Sequence, residues 1–234
     1  MNILALDTSS ITAGVALWRD GVPAAQLVVQ NQRTHSRNLL PMVDAVLSFC
    51  DCTMDDIDLF AVGDGPGSFT GLRIGVATAK AFAHATNKPL LGVSILDGFA
   101  AFCCFPDGII CPLLDARRNQ AYTAFYTTDA SGKVVEKTPP KAMALEEILT
   151  ALKGKKVLFT GDGLPAFEAQ IREAMGEDAR FAPPYLRVNA IGGIASLAVA
   201  SPDRAGSYGA LTPNYFRPSQ AEREAKEKKE KRDL

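Results

Sequence analysis

The sequence predicts an α/β protein built from two similar lobes. The first half opens with three short strands joined by tight turns, and the second half repeats that opening after an offset of 108 residues, as Leu6-Asp7 and Leu114-Asp115 illustrate. A later strand ends in Gly-Asp-Gly in both halves, at residues 63–65 and 161–163, and a helical pattern follows each. Two copies of one structural unit explain these repeated features, and chance similarity between two amphipathic meanders is the alternative.

The elements follow from apolar periodicity and turn residues. In the first lobe we predict strands at 3–6, 13–18, 22–29 and 59–65, and helices at 38–50 and 71–85. In the second lobe, we predict strands at 109–114, 121–127, 133–137 and one ending near 160, with helices at 164–175 and 191–200. The predicted division is a first lobe over 1–106, a reduced second lobe over 107–217 and a charged tail over 218–234.

Composition limits the function classes. The 234 residues carry a net charge of -1, so bulk electrostatics does not favour nucleic acid as a direct ligand. The five cysteines form no Cys-x-x-Cys pair, which indicates a reduced, cytoplasmic chain without a disulfide framework. The sequence has neither a signal-peptide pattern nor an apolar run of about 20 residues, so we expect no membrane partner.

The glycine-rich stretch at 63–75 follows a buried strand and opens a helix. Glycines allow close approach of a ligand, and a helix N-terminus favours an anion. The candidate phosphate or nucleotide residues here are Gly65, Gly67, Ser68, Thr70 and Gly71. Because the stretch matches neither Walker A nor G-x-G-x-x-G, a tight strand-to-helix turn is an equal alternative.

A second candidate for the same role is the strand end at Asp7, Thr8, Ser9 and Ser10. A carboxylate followed by small hydroxyl residues suits hydrated Mg²⁺ or a phosphate, and an Asx-type turn is the alternative. The corresponding stretch of the second half, 115–118, lacks the hydroxyls. Its Arg117 and Arg118 are expected to pair with an anion or with acidic residues between the lobes.

Two helices of the first lobe offer a partner surface. The 38–50 helix carries one apolar stripe, and the 71–85 helix is rich in alanine and glycine, which lets a neighbouring helix come close. The residues assigned to this surface are Leu39, Leu40, Val43, Val46, Leu47, Arg73, Ile74, Ala77 and Ala81. Packing inside the lobe is the alternative for both helices. Oppositely charged pairs at i,i+4 in 221–234 indicate a solvated helix or a frayed tail.

Five motifs resemble the TsaB (YeaZ) family when taken in order. They are LALDTSS at 4–10, HSRNLLP at 35–41, GPGSFTGLRIG at 65–75, LDARR at 114–118 and PNYFR at 213–217. The resemblance implies two ribonuclease-H-like lobes of the actin, Hsp70 and sugar-kinase superfamily. It also implies a role in making N6-threonylcarbamoyladenosine at adenosine 37 of tRNAs that read ANN codons.

The resemblance further implies partners. TsaD, the paralogue that transfers the threonylcarbamoyl group, would pair with this chain through the two helices, and the small ATPase TsaE would join them. Without TsaD the same face would form a homodimer, and tRNA would be met only through the complex. TsaD-type members carry a His-x-x-Gly-His metal site, and this sequence has Ile95 and Phe99 at the ligand positions. We therefore expect that this chain has no catalytic residue and binds no metal or cofactor by itself. ATP and Mg²⁺ would be used by the complex.

Two enzymatic hypotheses compete with a non-catalytic partner. A stand-alone ATPase or phosphotransferase would use Asp7 and Asp115 as metal carboxylates from the two lobes. A metallopeptidase would need paired ligands, yet His35 and His84 lie 49 residues apart, and neither H-E-x-x-H nor G-x-S-x-G occurs.

Overall fold

The computed structural model describes residues 1–31 and 34–216. The first five-stranded sheet has the order β3-β2-β1-β4-β5, with β1 to β3 antiparallel and β4 and β5 parallel to β1. Its strands are β1 Asn2–Asp7, β2 Ala13–Arg19, β3 Val22–Val29, β4 Leu59–Gly65 and β5 Leu90–Ser94.

Helices cover both faces of this sheet. The helices of the first lobe are α1 His35–Phe49, α2 Phe69–Thr86 and α3 Ile95–Ala101. Helices α1 and α2 pack on the face that carries Leu4 and Leu6, whereas α3 packs on the face that carries Ile3 and Ala5. Strand β1 is therefore buried on both sides, which explains its continuous apolar sequence.

Helices α1 and α2 both begin earlier than the sequence predicted. Helix α1 begins at His35 instead of residue 38, so Pro41 lies inside it and Asn38 is a buried helical residue. The Asn38 side chain donates to Asn31 Oδ1 at 3.0 Å. Helix α2 begins at Phe69 instead of residue 71, and Ser68 is its N-cap.

The second half repeats the sheet of the first. Its five-stranded sheet has the order β10-β9-β6-β12-β13, which matches the first sheet position by position and confirms the duplication. The strands of the second half are β6 Ile109–Pro112, β7 Leu114–Asp115, β8 Gln120–Thr123, β9 Tyr126–Thr128, β10 Val134–Lys137, β11 Lys141–Ala144, β12 Val157–Thr160 and β13 Ala179–Phe181. Its helices are α4 Leu145–Leu152, α5 Leu164–Met175 and α6 Ile191–Ala200.

Two predicted strands of the second half are each divided. The predicted strand at 109–114 becomes β6 and β7, and the one at 121–127 becomes β8 and β9. The chain divides because β7 and β8 belong to a separate three-stranded sheet, in which β8 pairs with β7 on one side and with β11 on the other. Periodicity along the chain does not reveal this change of partner.

The chain after residue 190 returns to the first lobe, although the predicted boundary placed it in the second. Helix α6 packs against α3 and strands β1, β2, β4 and β5. Gly193 makes this packing close, since an added Cβ would lie 1.9 Å from the Gly98 carbonyl oxygen. The lobes are also joined by Asp97 of α3, which accepts from the Tyr126 hydroxyl at 2.8 Å and pairs with Lys137 at 2.8 Å.

The charged tail over 218–234, with its predicted helix, lies outside the described residues, as does Arg217. Within the described part of the chain, every helix is too short or too polar to cross a membrane.

Candidate functional site

The two predicted phosphate-binding segments of the first lobe pack against each other. The Thr8 hydroxyl donates to the Gly71 carbonyl oxygen at 2.7 Å, and the Ser68 amide donates to the Ser9 carbonyl oxygen at 2.6 Å. The turn after β1 and the loop before α2 thus form one unit, which lies at the carboxyl ends of the parallel strands β1 and β4.

Close backbone packing explains two glycines of this loop. An added Cβ at Gly71 would lie 2.0 Å from the Thr8 carbonyl oxygen, and one at Gly67 would lie 2.6 Å from the Ser9 carbonyl oxygen. No side chain fits in that space. These glycines therefore bring the loop onto the turn after β1.

Most of the polar groups predicted to meet a phosphate already bond within the protein. Ser68 Oγ accepts from the Gly71 amide at 3.3 Å and caps α2, and the Ser9 amide donates to Asp7 Oδ1 at 2.9 Å. Ser10 Oγ lies 3.0 Å from the Thr12 hydroxyl, and Thr70 is exposed on the first turn of α2. These bonds are those of a tight strand-to-helix turn, and binding of a phosphate here stays a prediction.

A cleft of about 350 Å³ separates the two lobes beside this unit. The first lobe contributes Ser9, Ser10, Gly67 and Ser68 to its walls, and the second contributes Asp115, Ala116, Arg117, Arg118, Tyr122 and Asp162. Asp7 is fully buried, and burial raises the pKa of its carboxyl group. Carboxylates from both lobes therefore gather near the base of the cleft.

Asp162 is the member of this group that the sequence analysis did not single out. Its Oδ1 atom is shielded from solvent and has no hydrogen-bond partner among the described residues. Burial, followed by the charges of Asp7 and Asp115, raises the pKa of Asp162 to about 7. The repeated Gly-Asp-Gly at 161–163 was the available signal, but it served only as evidence of duplication.

Replacement of Asp162 by asparagine should stabilise the protein at pH 8 by about 4 kcal/mol. The folded protein holds the Asp162 proton more tightly than the unfolded chain does, so stability falls as pH rises from the ordinary pKa of 3.8 to about 7. Asparagine carries no charge, so its advantage should disappear near pH 4. Urea unfolding at both pH values measures this, with the exposed Asp107→Asn as control. Equal stability of wild type and variant at pH 8 would contradict the assignment.

The hairpin that carries Arg117 and Arg118 has an unusual backbone. Arg117, Arg118 and Asn119 have φ values of 63°, 55° and 57°, a left-handed conformation that is rare in consecutive residues with side chains. Asp115 Oδ1 accepts from the Arg117 amide at 2.7 Å, and Asp115 Oδ2 lies 3.5 Å from the Arg117 guanidinium. Arg117 thus pairs within its own hairpin, and this exposed pair contributes little stability.

The two positions at which TsaD-type members carry metal ligands are occupied here by apolar residues of the core. Ile95 and Phe99 are each 1% exposed and pack in the core between α3 and α6. His35 Nε2 lies 2.8 Å from the Ser10 carbonyl oxygen, while the His84 ring lies against Tyr208. Among residues 1–31 and 34–216, no three His, Cys, Asp or Glu side chains are grouped to hold a metal ion.

The predicted partner surface needs a correction on α1. Its stripe residues Leu39, Val43, Val46 and Leu47 are at most 7% exposed, because they cover the first sheet. Only Leu40, at 51%, faces outward among the five assigned α1 residues. A Val43→Arg substitution would therefore place a charge in the core instead of testing an interface.

The α2 residues assigned to the partner surface are mainly exposed. Arg73, Ala77 and Ala81 are exposed at four-residue spacing, so they share one outward face, and Ile74 is half-buried. Helices α1 and α2 contact each other on the same side of the sheet. Their outer surface presents small side chains on α2 beside Leu40 of α1, which suits close packing by another helix.

Comparison with known proteins identifies the family. A protein-family model described as TsaD, tRNA N6-adenosine threonylcarbamoyltransferase, matches residues 28–221. The TsaB of Bacillus subtilis, named as a tRNA threonylcarbamoyladenosine biosynthesis protein, is 37% identical over 178 residues, which span 75% of this chain and 77% of that relative. The chain belongs to the TsaB family.

Solved structures agree with the TsaB assignment and with the fold that the resemblance implied. YeaZ from Pseudomonas aeruginosa is 26% identical and superposes with a TM-score of 0.75 over 92% of this chain and 99% of that one. Component A of the (R)-2-hydroxyglutaryl-CoA dehydratase from Acidaminococcus fermentans is 10% identical with a TM-score of 0.50, a likeness of fold alone. This TsaB-family chain has the two-lobed α/β fold of the actin, Hsp70 and sugar-kinase superfamily.

Proposed function

We propose that this chain is the non-catalytic partner of TsaD in forming N6-threonylcarbamoyladenosine at adenosine 37 of tRNAs that read ANN codons. Membership in the TsaB family carries this proposal. TsaD supplies the transferase site, TsaE joins the pair, and the present chain contributes a docking surface. The chain acts in the cytoplasm, and ATP and Mg²⁺ serve the complex rather than this chain alone.

The outer face of α1 and α2 is the proposed contact with TsaD. Ala77 and Ala81 lie on the outside of a two-helix layer whose inner side is already filled by the chain's own core. Short side chains let a second pair of helices approach closely, and burial of apolar area then drives association at about 25 cal/mol per Å². Without TsaD, the same face of a second copy would take its place.

Reconstitution tests the proposed function directly. Purified TsaD, TsaE and this chain are incubated with the threonylcarbamoyl donor and an unmodified tRNA, and the modified nucleoside is measured by mass spectrometry. We expect product only when all three proteins are present and none from this chain alone. Equal product from TsaD and TsaE without the chain would contradict the proposal.

A lone ATPase or phosphotransferase is the second candidate, because carboxylates of both lobes lie near one cleft. Asp7 belongs to the first lobe, while Asp115 and Asp162 belong to the second. This candidate requires saturable ATP hydrolysis by the purified chain that is lost in Asp7→Ala.

A further inference from the structure

Residues 202–216, which we call the strap, run from the end of α6 back along the first lobe. Gly206 and Leu90 exchange two backbone hydrogen bonds of 3.0 Å, so the strap adds to the edge of the first sheet. Further along, the Lys80 ammonium of α2 donates to the Leu211 carbonyl oxygen at 2.9 Å. The strap is thus attached to β5 and to the flank of α2.

The end of the strap docks on the glycine-rich loop. The Asn214 amide donates to the Asp64 carbonyl oxygen at 2.6 Å. Gly65 has a φ of 138°, and a Cβ added there would lie 2.4 Å from the Asn214 carbonyl oxygen. Gly65, first assigned to a phosphate, therefore makes room for the strap.

Tyr215 joins this end of the strap to the start of α2. Its ring stacks on Phe69 with centroids 4.5 Å apart, and its hydroxyl oxygen accepts from Arg73 Nε at 3.0 Å. The Arg73 guanidinium also lies 4.0 Å from the centre of the Phe69 ring. Arg73 belongs to the exposed face that contains Ala77 and Ala81, so one side chain touches both the strap and the proposed partner surface.

The next residue reaches the opposite lobe. The Phe216 ring lies 6.0 Å from the Tyr122 ring, centroid to centroid, and both rings line the interlobe cleft. Asn214 and Tyr215 line the same cleft. The last three described residues therefore span the cleft from the first lobe to the second.

We propose that Asn214–Phe216 form a releasable lid on the interlobe cleft, and that a partner which engages Arg73 releases it. An acidic group of the partner would draw the guanidinium away from the Tyr215 hydroxyl and the Phe69 ring, because a charged acceptor binds arginine more strongly than a neutral one. Tyr215 would then lose its hydrogen bond and part of its stacking platform. The identity of the partner rests on the proposed function, whereas the lid itself rests on contacts within this chain.

Hydrogen exchange of the full chain, followed by mass spectrometry, tests the lid. Tyr215→Ala should speed exchange at least tenfold in residues 211–216, where the Asn214 amide is hydrogen-bonded. Exchange should also rise in the second-lobe hairpin 116–120, where the amides of Ala116, Arg117 and Gln120 are hydrogen-bonded. Exchange in α5 should stay unchanged, which excludes global unfolding. Tyr185→Ala, at an aromatic residue that is 75% exposed in the second lobe, is the matched control. Faster exchange confined to 211–216, or no change in either segment, would overturn the proposal.

Two further variants keep the test decisive if Tyr215→Ala folds poorly. Tyr215→Phe removes only the hydroxyl group, and Arg73→Ala removes the guanidinium that donates to this hydroxyl. Both should speed exchange at 211–216 and 116–120. The effect should be larger in Arg73→Ala, because the guanidinium also packs on the Phe69 ring. Unchanged exchange in Arg73→Ala would overturn the role given to this side chain.

Addition of TsaD to the wild-type chain tests the link to the partner. Once light scattering shows the complex, exchange at 211–216 and 116–120 should rise. A complex in which these segments exchange at the same rate or more slowly would overturn partner-driven release. Failure to form any complex would count against the proposed function, while the lid would still be judged by the variants of the isolated chain.

Discussion

Gly193→Ala should lower the free energy of unfolding by about 3 kcal/mol. Helix α6 crosses α3 at this point, and the new methyl group would lie 1.9 Å from the Gly98 carbonyl oxygen and 2.7 Å from its carbonyl carbon. Both are backbone atoms of α3, so the two helices would have to move apart. Separation would also disturb the core that contains Ile95, Phe99 and Ile194. Urea denaturation followed by circular dichroism measures the loss.

Gly192→Ala provides the matched control, because it makes the same substitution one residue earlier in the same helix. Its added methyl group would meet the ends of two side chains, Phe102 Cζ at 2.6 Å and Gln26 Oε1 at 2.7 Å, which are able to rotate away. Alanine also favours a helix by about 1 kcal/mol over glycine. We therefore expect a change within about 1 kcal/mol of wild type. Equal effects at positions 192 and 193 would show that the close contact with Gly98 is not the cause.

Ala77→Arg should weaken binding to TsaD at least 100-fold while leaving the isolated chain folded. Ala77 is exposed at the middle of α2, so the free protein accommodates the longer side chain in solvent. In the proposed complex, a partner helix covers this position, and burial of an unpaired guanidinium costs several kcal/mol. Titration calorimetry with TsaD measures the affinity, and thermal unfolding confirms that the variant folds.

The matched control for Ala77→Arg is Ala169→Arg, at an exposed position of α5 in the second lobe. It adds the same charge at a similar helical site away from α1 and α2, so affinity should stay within about twofold of wild type. If the chain forms a homodimer through this face, Ala77→Arg should weaken the homodimer and Ala169→Arg should not. Wild-type affinity in Ala77→Arg would place the TsaD contact elsewhere.

The duplicated fold could be predicted because each lobe opens with the same strand pattern. Each lobe also carries Gly-Asp-Gly, at the end of β4 in the first lobe and directly after β12 in the second. Local periodicity shows where apolar and polar residues alternate along a strand, and the same pattern in both halves predicts the same sheet in both halves. It does not record which sheet a strand joins, so the division of 121–127 into β8 and β9 was missed. For the same reason, α6 was placed with the second lobe, although its apolar surface covers α3 and the first sheet.

Site residues were harder to predict because one pattern serves both packing and binding. The stripe on α1 predicted an apolar face, but only the fold shows that Val43 covers the chain's own sheet while Leu40 faces outward. Gly65 and Gly71 suggested a phosphate loop, yet Asn214 and Thr8 lie where their side chains would be. Contacts between residues so far apart in sequence leave no local signal.

The mass of the complex tests the central claim most directly. Light scattering coupled to gel filtration would be run on this chain, on TsaD and on an equimolar mixture of the two. We predict a new species in the mixture with the mass of one chain of each, formed at the expense of any homodimer. Elution of both proteins at their separate masses, with or without nucleotide and TsaE, would contradict a TsaD partner and bring the lone-enzyme candidate forward.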